Sequence, residues 1–187
     1  MIVSFPAYLD SCCLVPINLT DVLLRLAEAH TYRPLWSDQV LDEVERNLVQ
    51  ASSTMTADKA RRRVDMMRMQ FRDARVTDYE SLIPSMTNDP KDRHVLAAAV
   101  RGGAALIVTA NIKDFPAEAV EPYDIEVTSP DEFLLDQLDL YPEPTLQCLR
   151  DLVAARKRPP ETLHSFLAQL AKTVPGFCRA AHRHATP

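Results

Sequence analysis

The stretch from Asn88 to Thr109 constrains the fold more than any other part of the chain. Asn88-Asp89-Pro90 reads as a helix start, with Asp89 as N-cap and Pro90 at the first helical position, where its missing N–H is no loss. The helix then carries Val95, Leu96, Ala97, Ala98, Ala99 and Val100 and stops at Gly102-Gly103. Ala104 to Val108 follows without a single polar residue and closes on Thr109. A strand with no alternation is covered on both faces, as in a parallel sheet flanked by helices.

The rest of the chain repeats that grammar. Phe5–Leu9 reads as a buried strand ending at Asp10. A helix capped by Asn18 or Thr20 runs to about His30, with Val22, Leu23, Leu26 and Ala27 on one face. Pro34–Ser37 is a second strand, after which Ser37 or Asp38 caps a helix carrying Val40, Leu41, Val44 and Leu48. Thr56 starts another helix through Phe71, with Val64, Met67 and Phe71 inward. Arg75–Thr77 and Ile125–Val127 are the remaining strands, and Ser129-Pro130-Asp131-Glu132 is a capping-box helix start. This alternation predicts an α/β three-layer sandwich with a central parallel sheet. Leu140–Pro144 reads as a linker to helices over about 145–156 and 160–173 and a turn near Phe177. The expected organisation is a domain over 1–130 and a small C-terminal helical appendage over 131–187, with only the tail from His182 to Pro187 disordered.

Several function classes drop out. With 3 glycines there is no GxGxxG or Walker A loop to cradle a phosphate. No run approaches the roughly 18 apolar residues of a membrane helix, and the N-terminus lacks a basic region followed by an apolar run. A cytoplasmic location with no membrane partner is expected. Cys12, Cys13, Cys148 and Cys178 have neither zinc nor disulfide-framework spacing and read as reduced thiols. Net charge is −5, which opposes a nucleic-acid partner. Its distribution is uneven: basic segments at Lys59–Arg75 and beyond Arg150 flank Asp114–Glu143, which holds no Lys or Arg. Arg61, Arg62 and Arg68 are therefore candidate RNA-phosphate contacts, against the ordinary reading of a solvated helix face. The acidic stretch would suit a basic partner. The five histidines show no ligand spacing, and Trp36 reads as core.

Ligands of open parallel sheets gather at the C-terminal ends of the strands. Asp10 ends the first strand, Asp114 follows the Ala104–Thr109 strand, Asp92 lies in the first turn of the helix feeding that strand, and Glu43 lies one turn into the helix after Ser37. Each has a structural alternative: Asp92 as a helix-dipole acid, Asp114 as a turn residue, and Glu45 in place of Glu43, since both flank the same apolar stripe. Clustered bare carboxylates repel unless a cation compensates. An all-oxygen site suits Mg²⁺ or Mn²⁺ rather than zinc.

Four blocks in order resemble the PIN domain: Leu9-Asp10-Ser11, Val40-Leu41-Asp42-Glu43-Val44 with Arg46, Asp89-Pro90-Lys91-Asp92 before Ala97–Ala99, and Thr109-Ala110-Asn111-Ile112-Lys113-Asp114-Phe115. The resemblance spans about residues 5–130. It implies Asp10, Glu43, Asp92 and Asp114 as catalytic Mg²⁺ or Mn²⁺ ligands, with Ser11, Thr109 and Asn111 in polar support. It also implies single-stranded RNA as substrate, cut by metal-activated water without a covalent intermediate. Many stand-alone bacterial members are VapC-type toxins held by a VapB-type antitoxin, often as homodimers, and the appended helices resemble a VapC-like subgroup. Two positions depart from the pattern. Cys12 stands where Asn is common, and Asn111 where some members have Asp, which leaves a second metal open. The competing readings are a haloacid-dehalogenase phosphatase, disfavoured by Asp10-Ser11-Cys12 in place of Asp-x-Asp, a non-catalytic PIN-like binding module, and a housekeeping RNA-processing nuclease.

Overall fold

The computed structural model describes residues 5–157 and 160–185. Five short strands form one sheet: β1 (Pro6–Leu9), β2 (Arg33–Ser37), β3 (Arg75–Val76), β4 (Leu106–Val108) and β5 (Glu126–Thr128). Their order is β3-β2-β1-β4-β5 and every pairing is parallel. Ala7, Tyr8 and Leu9 of central β1 are fully buried, as are Ile107 and Val108 of β4. The apolar run signalled that double cover, and the α/β sandwich expected from the sequence is what forms, with helices following it in the chain.

The helices are α1 (Ser11–Leu14), α2 (Ile17–Glu28), α3 (Asp38–Ala51), α4 (Ala57–Gln70), α5 (Arg93–Gly102), α6 (Ala117–Val120), α7 (Pro130–Leu140), α8 (Pro142–Ala155), α9 (Leu163–Leu170) and α10 (Pro175–Ala185). Ser37, Thr56 and Ser129 cap α3, α4 and α7 with their hydroxyls. Gly103 ends α5 at φ +63°, a conformation without penalty only for glycine.

Four readings of the sequence need correction. α5 begins at Arg93 rather than Pro90: Asp89 caps a tight turn, its Oδ1 accepting from the Lys91 N–H at 3.1 Å and its carbonyl from the Asp92 N–H at 2.9 Å. Asp92 takes the N-cap position, but its side chain makes no cap hydrogen bond and is left for other use. Leu140–Pro144 is no linker, since only Tyr141 separates α7 from α8 and Pro142 sits comfortably at the first helical position of α8. The turn near Phe177 is the full helix α10, and His182 to Ala185 belong to it. Short α1 was unforeseen: Asp10 caps it by accepting from the Ser11 N–H at 2.6 Å.

The C-terminal helices share the core of the sheet domain. Leu146, Leu149 and Leu152 of α8 are buried with α2 and α7, and Phe166, Leu170 and Phe177 close the far side. Each such side chain contributes about 1.5–3 kcal/mol by burial. Asp131 of α7 fixes the start of α10, accepting from the N–H groups of Gly176 at 2.9 Å and Phe177 at 2.7 Å. A Cβ on Gly176 would lie 2.8 Å from that carboxylate, so glycine is what lets it approach.

Candidate active site

The chain builds outward from β1 through β2 to β3, then crosses back to lay β4 on the other side of β1. The reversal leaves a crevice where β1 and β4 end, the usual ligand position in such sheets. Asp10 follows β1 and Thr109 follows β4. The Thr109 hydroxyl donates to Asp10 Oδ2 at 2.7 Å. Asp10 is 3% exposed and takes further donors from the Ser11 N–H and, weakly, the Ser11 hydroxyl at 3.4 Å. These contacts compensate a charge that burial alone would penalise.

Asp92 comes within charge range of Asp10 and Asp114. The turn at 89–92 is tied to the β4 loop by the Asp89 N–H donating to the Asp114 carbonyl at 3.1 Å. The 3-10 turn Ile112–Asp114 buries Asp114 to 8% exposure. Asp92 Oδ2 is buried with no hydrogen-bond partner. Burial, then the charges of Asp10 and Asp114 against the opposing pull of Lys91, push the Asp92 carboxyl up to about 6. Lys91 Nζ lies 3.5 Å from Asp114 Oδ2 and 4.0 Å from Asp92 Oδ2. Asp114, Asp89 and Asp92 hold that ammonium above its ordinary range.

Glu43 enters from α3. Its Oε1 lies 3.0 Å from Nε2 of buried His94, an ion contact off the line of an ideal hydrogen bond. His94 Nδ1 faces the Lys91 carbonyl at 2.9 Å, and a carbonyl only accepts, so Nδ1 carries a proton. Burial opposes charge on both partners, yet the mutual contact outweighs it: Glu43 is lowered, helped by Ser11 and Arg46, and His94 is raised. Glu45 turns away to meet Arg61 at 3.7 Å. Phase on the helix left Glu43 and Glu45 equivalent, and the contact with His94 at the start of α5 distinguishes them.

The supporting and basic candidates fare unequally. Ser11 and Thr109 sit in the centre. Asn111 is exposed and gives its backbone N–H to the Thr109 hydroxyl at 3.0 Å. Arg68 is held by Asp38 at 3.5 Å, Asp42 at 3.3 Å and Asp65 at 3.4 Å, while Arg62 is exposed with no ion pair among the described residues. A cleft of about 640 Å³ lined by Trp36, Asp38, Arg68, Phe71, Arg72 and Arg75 contains none of the four acidic candidates.

Three residues of the centre were given no role there from sequence. His94 shares a helical face with buried Ala97 and Ala98, which was the available signal. Cys12 Sγ donates to Asp10 Oδ2 at 3.2 Å and accepts from the Ala110 N–H at 3.2 Å, bridging the ends of β1 and β4. Lys91 carried no signal beyond its place between two aspartates.

The donor set fits a hard divalent cation: oxygen ligands, a buried carboxylate oxygen without a partner, and a carboxyl raised by its neighbours' charge. Among the described residues no three His, Cys, Asp or Glu side chains are already drawn together tightly enough to hold an ion.

Comparison with known proteins agrees with this fold. The family profile described as PIN domain matches residues 7–113. The chain belongs to the PIN-domain family. A second profile, the VapC50 C-terminal domain, matches residues 130–183 of this PIN protein. The chain is also 52% identical over 105 residues to "Putative ribonuclease VapC50" of Mycobacterium tuberculosis. That match covers 56% of the chain and 62% of the relative, so less than two thirds of the relative is spanned. No solved structure matches significantly. Among the described residues no helix is long and apolar enough to cross a membrane.

Proposed function

We propose that this PIN protein is an endoribonuclease that uses Mg²⁺ or Mn²⁺ to cut single-stranded RNA, and that it is the toxin of a toxin–antitoxin pair. The observation that carries the reading is the unpartnered, buried Asp92 Oδ2 within charge range of Asp10 and Asp114. Asp10, Asp92 and Asp114 would hold the ion, with Glu43 beside them. A bound divalent cation there lowers the pKa of a water and offsets charge developing on the phosphodiester.

The chain's own residues supply order. Ser11 and Thr109 fix the direction of the Asp10 carboxylate. His94 holds Glu43 as a carboxylate. No serine, cysteine or histidine stands as a nucleophile in this scheme, so hydrolysis proceeds by direct attack of water. Residues 1–130 form the catalytic part and 131–187 the helical module. The name of the relative and the matched C-terminal profile support a VapC-type role. A cytoplasmic homodimer restrained by a small VapB-like antitoxin completes the proposal.

The test is cleavage of a mixed small-RNA pool by the purified chain with Mg²⁺ or Mn²⁺, with EDTA, and with Asp92→Asn. Cutting that is lost in both controls is expected; cutting that persists in EDTA overturns the metal reading. Growth arrest on expression, relieved by co-expressing the small protein encoded beside it, is expected of a toxin.

A further inference from the structure

The acidic centre carries a cation of its own. Lys91 lies in the turn that Asp89 caps, and its backbone is held at both ends, by Asp89 Oδ1 on its N–H and by His94 Nδ1 on its carbonyl. Its side chain is 69% exposed, so the ammonium reaches the carboxylates from the solvent side. It meets Asp114 Oδ2 at 3.5 Å and stands 4.0 Å from Asp92 Oδ2, the oxygen that has no hydrogen-bond partner. Asp10 differs: its donors are the Ser11 N–H and the Ser11, Cys12 and Thr109 side chains. Lys91 thus faces the two carboxylates that have the fewest other partners.

We propose that Lys91 is a tethered competitor of the divalent ion: its ammonium neutralises Asp92 and Asp114 while the ion is absent and leaves them when the ion binds. This rests on Asp10, Asp92 and Asp114 being the ligands of that ion. One carboxylate oxygen cannot serve both cations at full strength, so the coupling is reciprocal, and whatever the ammonium gains from the acids is subtracted from the affinity of the ion. An exposed pair is weak, so Lys91 does not block the centre. It raises the ion concentration at which the centre loads. It also limits repulsion among the acids of the ion-free protein, so one residue trades ion affinity for stability of the empty fold.

The experiment is a Mn²⁺ titration of the full chain, followed by calorimetry, for wild type, Lys91→Met and Lys91→Arg. Lys91→Met is expected to bind Mn²⁺ roughly two- to fivefold more tightly, the range that an exposed ion pair supports, and Lys91→Arg to bind like wild type. In EDTA, Lys91→Met is expected to melt below wild type and to gain more from added Mn²⁺. Equal or weaker binding by Lys91→Met overturns the proposal while leaving the metal site intact. Failure of wild type to bind Mn²⁺ overturns both.

Discussion

Replacing Asp92 by Asn removes one negative charge from the acidic centre and keeps the shape of the side chain. The Asp92 carboxyl is pushed up to about 6 from 3.8, by burial first and then by Asp10 and Asp114. Between those two values the folded chain binds more protons than the unfolded one. Stability therefore falls as pH rises from about 4 to 6, and the deficit persists at neutral pH. The displacement from 3.8 to about 6 corresponds to roughly 3 kcal/mol at pH 7. Screening by solvent at a side chain still 16% exposed reduces that to about 1–2 kcal/mol. Asp92→Asn is therefore expected to melt about 2–8 °C above wild type at pH 7.5 in EDTA and to lose RNA cleavage. At pH 4 the two proteins converge, because wild-type Asp92 is then protonated. Thermal unfolding at both pH values decides the matter. An Asn variant no more stable than wild type at pH 7.5, or equally stabilised at both, refutes the reasoning. A gain in stability with loss of activity is what a site built from mutual repulsion yields.

Other outcomes follow from the same geometry. Glu43→Gln is expected to reduce cleavage at least tenfold, whereas Glu45→Gln, which only releases exposed Arg61, leaves the rate within about twofold, as surface pairs contribute little. Thr109→Val removes the hydroxyl that donates to Asp10 and accepts from Asn111; urea denaturation is expected to show a loss of about 1.5–3 kcal/mol, with cleavage reduced as well. A chain ending at Leu140 loses α8 to α10 and uncovers the apolar faces of α2 and α7; it is expected to aggregate or to unfold without a cooperative transition, and a soluble, cooperatively melting product would show the helices to be dispensable.

The parallel sheet was legible in the sequence because Ala104–Val108 carries no alternation, and Asp10 and Asp114 stood out as candidates because each follows a strand. What escaped was set by contacts distant in the chain. Asp89 is a good cap in isolation, and it does cap, but it closes a turn whose backbone is tied to Asp114, which delays the helix to Arg93. The choice between Glu43 and Glu45 needed His94, about fifty positions later and on a different helix. The start of α10 is fixed by Asp131, 45 residues upstream of Gly176. Lys91 looks like any solvent lysine until the turn places it over Asp114.

The central claim is hydrolysis of RNA by water at an ion-loaded acidic centre, and the chemistry of the cut ends tests it most directly. Attack by water on phosphorus leaves no use for the neighbouring 2′-hydroxyl. Fragments made in the presence of Mg²⁺ in ¹⁸O-enriched water are expected to carry a terminal phosphate labelled with ¹⁸O and no 2′,3′-cyclic phosphate. Cyclic phosphate ends without label would mean that the 2′-hydroxyl is the nucleophile, and would contradict the role of Asp10, Asp92 and Asp114 as holders of an ion that activates water.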